Sequence, residues 1–152
     1  MGETIAAGVT VTGIRCRIGR AEVGLPLTEV GQIIEYPVFP LPLARRWIGG
    51  LGLHDERPLV SVALARLPDR VRGQQRNAVG ILLQGHGAYQ VDWALEVDEL
   101  GTFLRATMIS KPVATGLDVP VWISQARDDD GKAVGWIDVP AMLADLTAGE
   151  GR

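Results

Sequence analysis

Apolar and polar side chains alternate along most of this chain, the pattern of strands that bury one face. Ile14, Cys16 and Ile18 share a face, and Gly19-Arg20 then turns the chain into Val23, Leu25 and Leu27. Residues 59–64, Leu-Val-Ser-Val-Ala-Leu, form a β-rich run. Residues 79–83 lead into Gln84-Gly85-His86-Gly87, a hairpin signal, after which Tyr89, Val91, Trp93 and Leu95 alternate strictly. Val119, Val121 and Ile123 run into the turn Asp128-Asp129-Asp130-Gly131-Lys132, and the chain returns through Val134, Trp136 and Ile137. Helical spacing is rarer. Thr28 is placed to cap a short helix with Val30, Ile33 and Ile34 on one face. Asp138 stands at an N-cap, Pro140 lies in the first turn, and Met142, Leu143 and Leu146 follow at helical spacing. The pattern predicts a mainly β protein, small barrels or a sandwich rather than an open sheet, with flexible residues 1–12 and a frayed end at 147–152.

A shift of 70 residues lays one half of the chain over the other without gaps: residues 23–34 fall on residues 93–104. The apolar positions match, as do the Glu-x-Gly spacing and the capping Thr28, which falls on Asp98. With a further slip of four residues, Val60 and Val62 fall on Val134 and Trp136. A duplication of this kind implies two related barrels, each with a strand–helix element. The Arg-rich stretch 66–76, with Pro68 and Gly73, reads as the loop between the halves.

Composition narrows the functional classes. Fifteen Lys and Arg against 18 Asp and Glu leave a net charge of −3, without the concentrated positive face that nucleic-acid binding requires. The single cysteine excludes a disulfide framework or a multi-cysteine zinc site. No apolar run reaches the roughly 20 residues of a membrane span, and Met1-Gly2-Glu3-Thr4 does not open like a secretory signal. A cytoplasmic protein is expected, with no nucleic-acid partner and no insertion into a membrane.

Candidate chemistry is sparse. His54-Asp55-Glu56-Arg57 is the densest run of reactive groups, and an acid–base reading would use His54 with a carboxylate. Neighbours on a strand point to opposite faces, so His54 and Asp55 are not expected to pair, and a solvated turn is the simpler reading. His86 sits between glycines in a hairpin tip, without metal partners at fixed spacing. Cys16 reads as a small buried hydrophobe, and Asp98-Glu99 as a repeat of Thr28-Glu29. The glycines at 49, 50 and 52 lack a phosphate-loop ending and suit close backbone packing or a bulge. Arg45, Arg46, Arg66, Arg70, Arg72 and Arg76 read as solvated charge able to meet an acidic partner. No catalytic constellation, metal or cofactor is called for. The residues point to a module that works by surface contact.

In order and spacing these segments resemble CheW-like domains, the adaptors of bacterial chemosensory arrays. The opening hairpin 14–27 resembles the family's first strands, and Val30-Gly31-Gln32-Ile33-Ile34 its Val-x-Glu-Ile element. Pro40-x-Pro42 followed by Arg46-Trp47-Ile48-Gly49-Gly50-Leu51 resembles the Pro-rich turn and the next strand. Residues 95–100 resemble Gly-Leu-x-Val-Asp-x-Val, and residues 131–143 the last hairpin and helix. The resemblance implies one domain over residues 13–146, made of two adjacent, interlocked, five-stranded SH3-like β-barrels with short helices, a C-terminal helix and a loop near 66–77. It implies a non-enzymatic scaffold that docks a methyl-accepting chemotaxis receptor in a groove between barrels and contacts a CheA-type histidine kinase or another CheW-like protein. The docking residues it marks are Val30, Gln32, Ile33, Ile34, Trp47, Leu51, Leu53, Asp55 and Glu56. Departures fall on polar contacts. Leu53-His54-Asp55-Glu56 replaces Asn-x-Arg-Gly, Gln32 replaces the Glu, and Val60 and Ala63 replace the Pro and Asp of Pro-x-x-Asp-Leu. Acid in place of Arg implies weakened kinase contact. The alternatives are a small β-barrel enzyme using His54 and a carboxylate, or a ligand-binding barrel.

Overall fold

The structure is a computed structural model and describes residues 7–42, 46–65, 73–83, 91–109 and 122–148. Ten strands run in the order β1 (Thr10–Ile18), β2 (Ala21–Pro26), β3 (Val30–Phe39), β4 (Ile48–His54), β5 (Arg57–Val62), β6 (Arg76–Leu83), β7 (Asp92–Glu96), β8 (Glu99–Ile109), β9 (Ile123–Asp128) and β10 (Ala133–Ile137). One α-helix follows, α1 (Val139–Thr147), and a 3₁₀ turn occupies Leu27–Glu29. The strands close two five-stranded barrels, β1-β2-β10-β9-β8 and β3-β4-β5-β7-β6. All ladders are antiparallel except β2–β10 and β5–β7. Met1–Thr28 with Glu99–Arg152 forms the first unit, and Glu29–Asp98 the second.

The first barrel buries Leu104, Ala106, Met108, Ala126, Val134 and Trp136, with Val11 packed against them. Helix α1 begins as the sequence predicts, for Asp138 Oδ1 accepts from the Ala141 N–H and Pro140 occupies the first turn. Its face of Val139, Met142, Leu143 and Leu146 is buried. Trp122 is buried too, and its indole donates to Asp145 Oδ2 at 3.1 Å. The second barrel encloses Ile34, Tyr36, Val38, Leu59, Ala78 and Ala94.

The 70-residue match falls on equivalent strands. β2 and β3 lie over β7 and β8, and the order β8-β9-β10-β2-β1 of the first barrel answers to β3-β4-β5-β7-β6 of the second. Core positions correspond: Ile34, Tyr36 and Val38 answer to Leu104, Ala106 and Met108. The parallel ladders correct the slip read from sequence. Val60 stands opposite Trp93 where Gly135 stands opposite Val23, so Leu59 answers to Val134 and Ser61 to Trp136. A slip of five residues keeps inward side chains on inward ones, whereas a slip of four places Val60 over the inward Val134.

Three expectations are overturned. The helix predicted after Thr28 is the strand β3, because Ile34, Tyr36 and Val38 point inward in strict alternation while Ile33, Glu35 and Phe39 point out. Its counterpart after Asp98 is the strand β8 for the same reason. The stretch 66–76 does not join the halves, since it lies between β5 and β6 of one barrel; the chain passes between units at Thr28–Glu29 and at Asp98–Glu99. β1 begins at Thr10, inside the expected flexible lead, and the Gly8 N–H donates to the Met108 carbonyl. The hairpin tip 84–87 with His86, Val119 and Val121, Arg66, Arg70 and Arg72, Arg45, and the end 149–152 lie outside the described residues.

Candidate protein-docking site

The β4–β5 hairpin turns in two residues, with His54 paired to Arg57 across it. Both turn residues are left-handed, Asp55 at φ 50° and Glu56 at φ 63°. This is the geometry of a type I′ turn, which matches strand twist and favours Asn-Gly. Glu56 adopts it at a cost of about 1 kcal/mol relative to glycine. Leaving the strand lets Asp55 swing back, so His54 Nε2 lies 3.4 Å from Asp55 Oδ2, contrary to the sequence expectation. The Asp55 side chain is 84% exposed, and Arg57 turns to Asp92 instead. A pair so open to water lacks the desolvation and third, orienting group of an acid–base site.

Behind the tip lies an apolar outer face. Leu51 and Leu53 point outward along β4, and Phe39, opposite Leu51 on β3, is exposed too. Val60, opposite Leu51 on the other side, and Pro58, opposite Leu53, extend the face across β5. Ile33 is 46% exposed, but it lies six residues before Phe39 on the same strand, about 20 Å away. Val79, opposite Glu35, is its exposed apolar neighbour on β6. The structure therefore gathers Leu51, Leu53, Asp55 and Glu56 and leaves Ile33 and Gln32 in a second patch at the other end of β3. Val30 is half-buried. Ile34 faces inward and is only 6% exposed, so it supports that patch from within. Trp47 is half-buried in a left-handed conformation at φ 75°; its carbonyl accepts from Ala63 and the Arg46 guanidinium lies 4.5 Å from its ring centroid.

Phe39 and Phe103 escaped the sequence reading. The helix expectation hid Phe39, which strand alternation from Ile33 through Glu35 and Pro37 would have exposed. Phe103 is 59% exposed on β8 and is the residue onto which the repeat maps Ile33, a signal the sequence already contained.

Inside the second barrel, a polar chain binds strands together. Ser61 Oγ donates to Glu96 Oε2 at 2.6 Å, so the Tyr36 hydroxyl, 2.8 Å away, donates to Ser61. Arg76 grips both Glu96 oxygens at 2.7 Å and reaches the Gly49 carbonyl at 3.4 Å. Arg76 is thus not the solvated charge expected. Glu96 holds its guanidinium still more firmly protonated, and burial pushes the Tyr36 phenol up. Ser61 is fully buried, so the set is a clamp rather than a nucleophile with a base. Burial likewise pushes the Cys16 thiol up to about 12, leaving it inert. Among the described residues no group of three His, Cys, Asp or Glu side chains is placed to hold a metal ion.

The equivalent outer face of the first barrel has different chemistry. Ile33, Glu35, Pro37 and Phe39 are answered by Phe103, Arg105, Thr107 and Ile109, and Leu51 and Leu53 by Gln125 and Arg127. Like interiors carry unlike exteriors. No helix among the described residues is long and apolar enough to cross a membrane.

No curated protein matches the sequence. Among solved structures, the scaffolding protein TtCheW from Thermoanaerobacter tengcongensis is similar, with a TM-score of 0.60 at 14% identity over 86% of this chain and 90% of that one. The family description "CheW-like domain" matches residues 12–147. With nearly the whole chain spanned by that match and the twin barrels in place, the protein belongs to the CheW-like domain family.

Proposed function

We propose that this chain is a non-enzymatic adaptor of a bacterial chemosensory complex, working in the cytoplasm and docking the signalling tip of a methyl-accepting chemotaxis receptor. The observation that carries the reading is the pairing of exposed apolar side chains on closed barrels with a second-barrel interior in which Tyr36, Ser61, Glu96 and Arg76 are engaged with one another. Ile33 and Gln32, with Val30 beside them and Ile34 beneath, form one receptor contact; Leu51, Leu53, Asp55 and Glu56 form a second, and Trp47 sets the start of β4. A CheA-type histidine kinase or another CheW-like protein is the further partner. Kinase contact is weakened, because the hairpin tip carries Asp55-Glu56 where the family has Arg-Gly. A like-charge mismatch at an interface costs several kcal/mol.

Calorimetric titration separates these claims. Against a receptor signalling hairpin the chain binds, and Ile33→Asp weakens binding on the order of tenfold or more. Absence of binding overturns the adaptor reading. Against the kinase regulatory domain, submicromolar affinity overturns the weakened contact while leaving the receptor reading intact.

A further inference from the structure

One group from each strand of the second barrel joins a single polar chain. The Tyr36 hydroxyl on β3 donates to Ser61 Oγ on β5, and Ser61 donates to Glu96 on β7. Arg76 on β6 forks onto both Glu96 oxygens and reaches the Gly49 carbonyl on β4. The Arg76 and Glu96 side chains are 15% and 13% exposed. The equivalent set in the first barrel is apolar. Ala106 and Trp136 answer to Tyr36 and Ser61, and Pro26 answers to Glu96 by the shift of 70 residues. Val9, which stands against Met108 as Arg76 stands against Val38, answers to Arg76. A barrel of this plan therefore closes without the charges. Replacing an ion pair shielded from water by apolar side chains is often neutral or stabilising, so the pair in the second barrel calls for a role other than closure.

That role lies at β4. Gly49 is the extra residue of a bulge, since Ile48 pairs with Val62 and Gly50 with Ser61. A Cβ at Gly49 would overlap the Glu96 carboxylate and the Arg76 guanidinium, so glycine lets the bulge sit directly on the ion pair. Just before the bulge, the Trp47 carbonyl accepts from the Ala63 N–H. On its other side β4 is paired to β3 at Leu51 and Gly52, so among the described residues positions 48–50 have no ladder partner there. Leu51 and Leu53, which follow the bulge, point outward. We infer that Arg76 is a positioning residue for docking: gripped by Glu96, it holds the Gly49 bulge and so sets the line of β4 along which Leu51 and Leu53 meet a partner. Arg76 acts through β4 and makes no contact with the partner itself. This deepens the adaptor reading and rests on it, while the hold on β4 is measured on the free chain.

Calorimetric titration against a receptor signalling hairpin, urea denaturation and hydrogen exchange on the free chain test it together. Arg76→Val combined with Glu96→Val removes both charges and leaves an apolar pair like that of the first barrel. This double variant unfolds in urea at or above the natural midpoint, yet it binds the hairpin on the order of tenfold more weakly. In the free chain it exchanges the amides of residues 47–51 faster, by on the order of tenfold. Tyr36→Phe loosens the polar chain at its far end, away from Gly49; it lowers the urea midpoint and leaves the affinity within about twofold of the natural one. A double variant that binds or exchanges as the natural chain does overturns the inference. So does a Tyr36→Phe variant that loses as much affinity as the double variant, because affinity would then follow general loosening. Should the midpoint of the double variant fall, Arg76→Lys carries the same readouts, for it keeps a cation on Glu96 and gives up the second arm to Gly49. A natural chain that does not bind the hairpin overturns the adaptor reading instead, and exchange at residues 47–51 in the free chain then decides whether Arg76 holds β4.

Discussion

Glu56 sits where the β4–β5 turn demands a left-handed residue, and a side chain there is strained by about 1 kcal/mol. Glu56→Gly therefore raises the urea midpoint by the equivalent of about 1 kcal/mol; an unchanged or lowered midpoint would show that the Glu56 side chain makes an offsetting contact. Arg76 works the other way. Its two bonds to Glu96 leave a half-buried carboxylate with only Ser61 to donate to it if the guanidinium goes, so Arg76→Ala costs about 1–3 kcal/mol in chemical denaturation. In the first barrel, Arg15 lies 2.7 Å from Asp128 and holds its carboxyl below the usual carboxylate range, helped by the N–H groups of Asp130 and Lys132. A depressed folded-state pKa adds stability that is complete above the unfolded value of about 3.9 and is lost as pH falls below it. Asp128→Asn keeps the turn's acceptor oxygen and should flatten the acid limb of stability against pH without altering its neutral part in slope.

The barrels show at the level of strands how one plan tolerates two cores. Tyr36 and Ser61 in the second barrel answer to Ala106 and Trp136 in the first, so bulk has moved from one strand to its neighbour while the space between is still filled. Gly24 makes the exchange possible, for a Cβ there would come within 2.9 Å of the Trp136 ring and 2.5 Å of Leu104. Its counterpart Ala94 faces the small Ser61. Gly24→Ala accordingly destabilises by about 1–3 kcal/mol through overpacking, whereas Ala94 already carries that methyl at no such cost. Most strands were legible because period-two alternation reports one buried face. β3 and β8 were not, because Ile33 and Ile34 are adjacent and mimic a helical face although they point to opposite sides of a sheet. Helix α1 was legible through Asp138 and Pro140, whose chemistry is local. The exterior was legible only in part: exposure depends on which strands flank a residue, so Phe39 and Phe103 needed the ladders, and the clamp of Arg76 needed Glu96 brought from twenty positions away in sequence.

For the whole molecule, the twin barrels divide labour between inside and outside. Inside, equivalent positions hold the same architecture; outside, the β3–β4 face carries Ile33, Glu35, Leu51 and Leu53 where the β8–β9 face carries Phe103, Arg105, Gln125 and Arg127. Unlike faces on like interiors are what the proposed adaptor reading calls on. The most direct measurement is hydrogen exchange on the chain with and without saturating receptor signalling hairpin. Slowed exchange confined to β3 and to the β4–β5 hairpin, abolished by Ile33→Asp, is the predicted result. Unchanged exchange at these strands under conditions that saturate the receptor fragment would contradict the docking surface drawn from this structure.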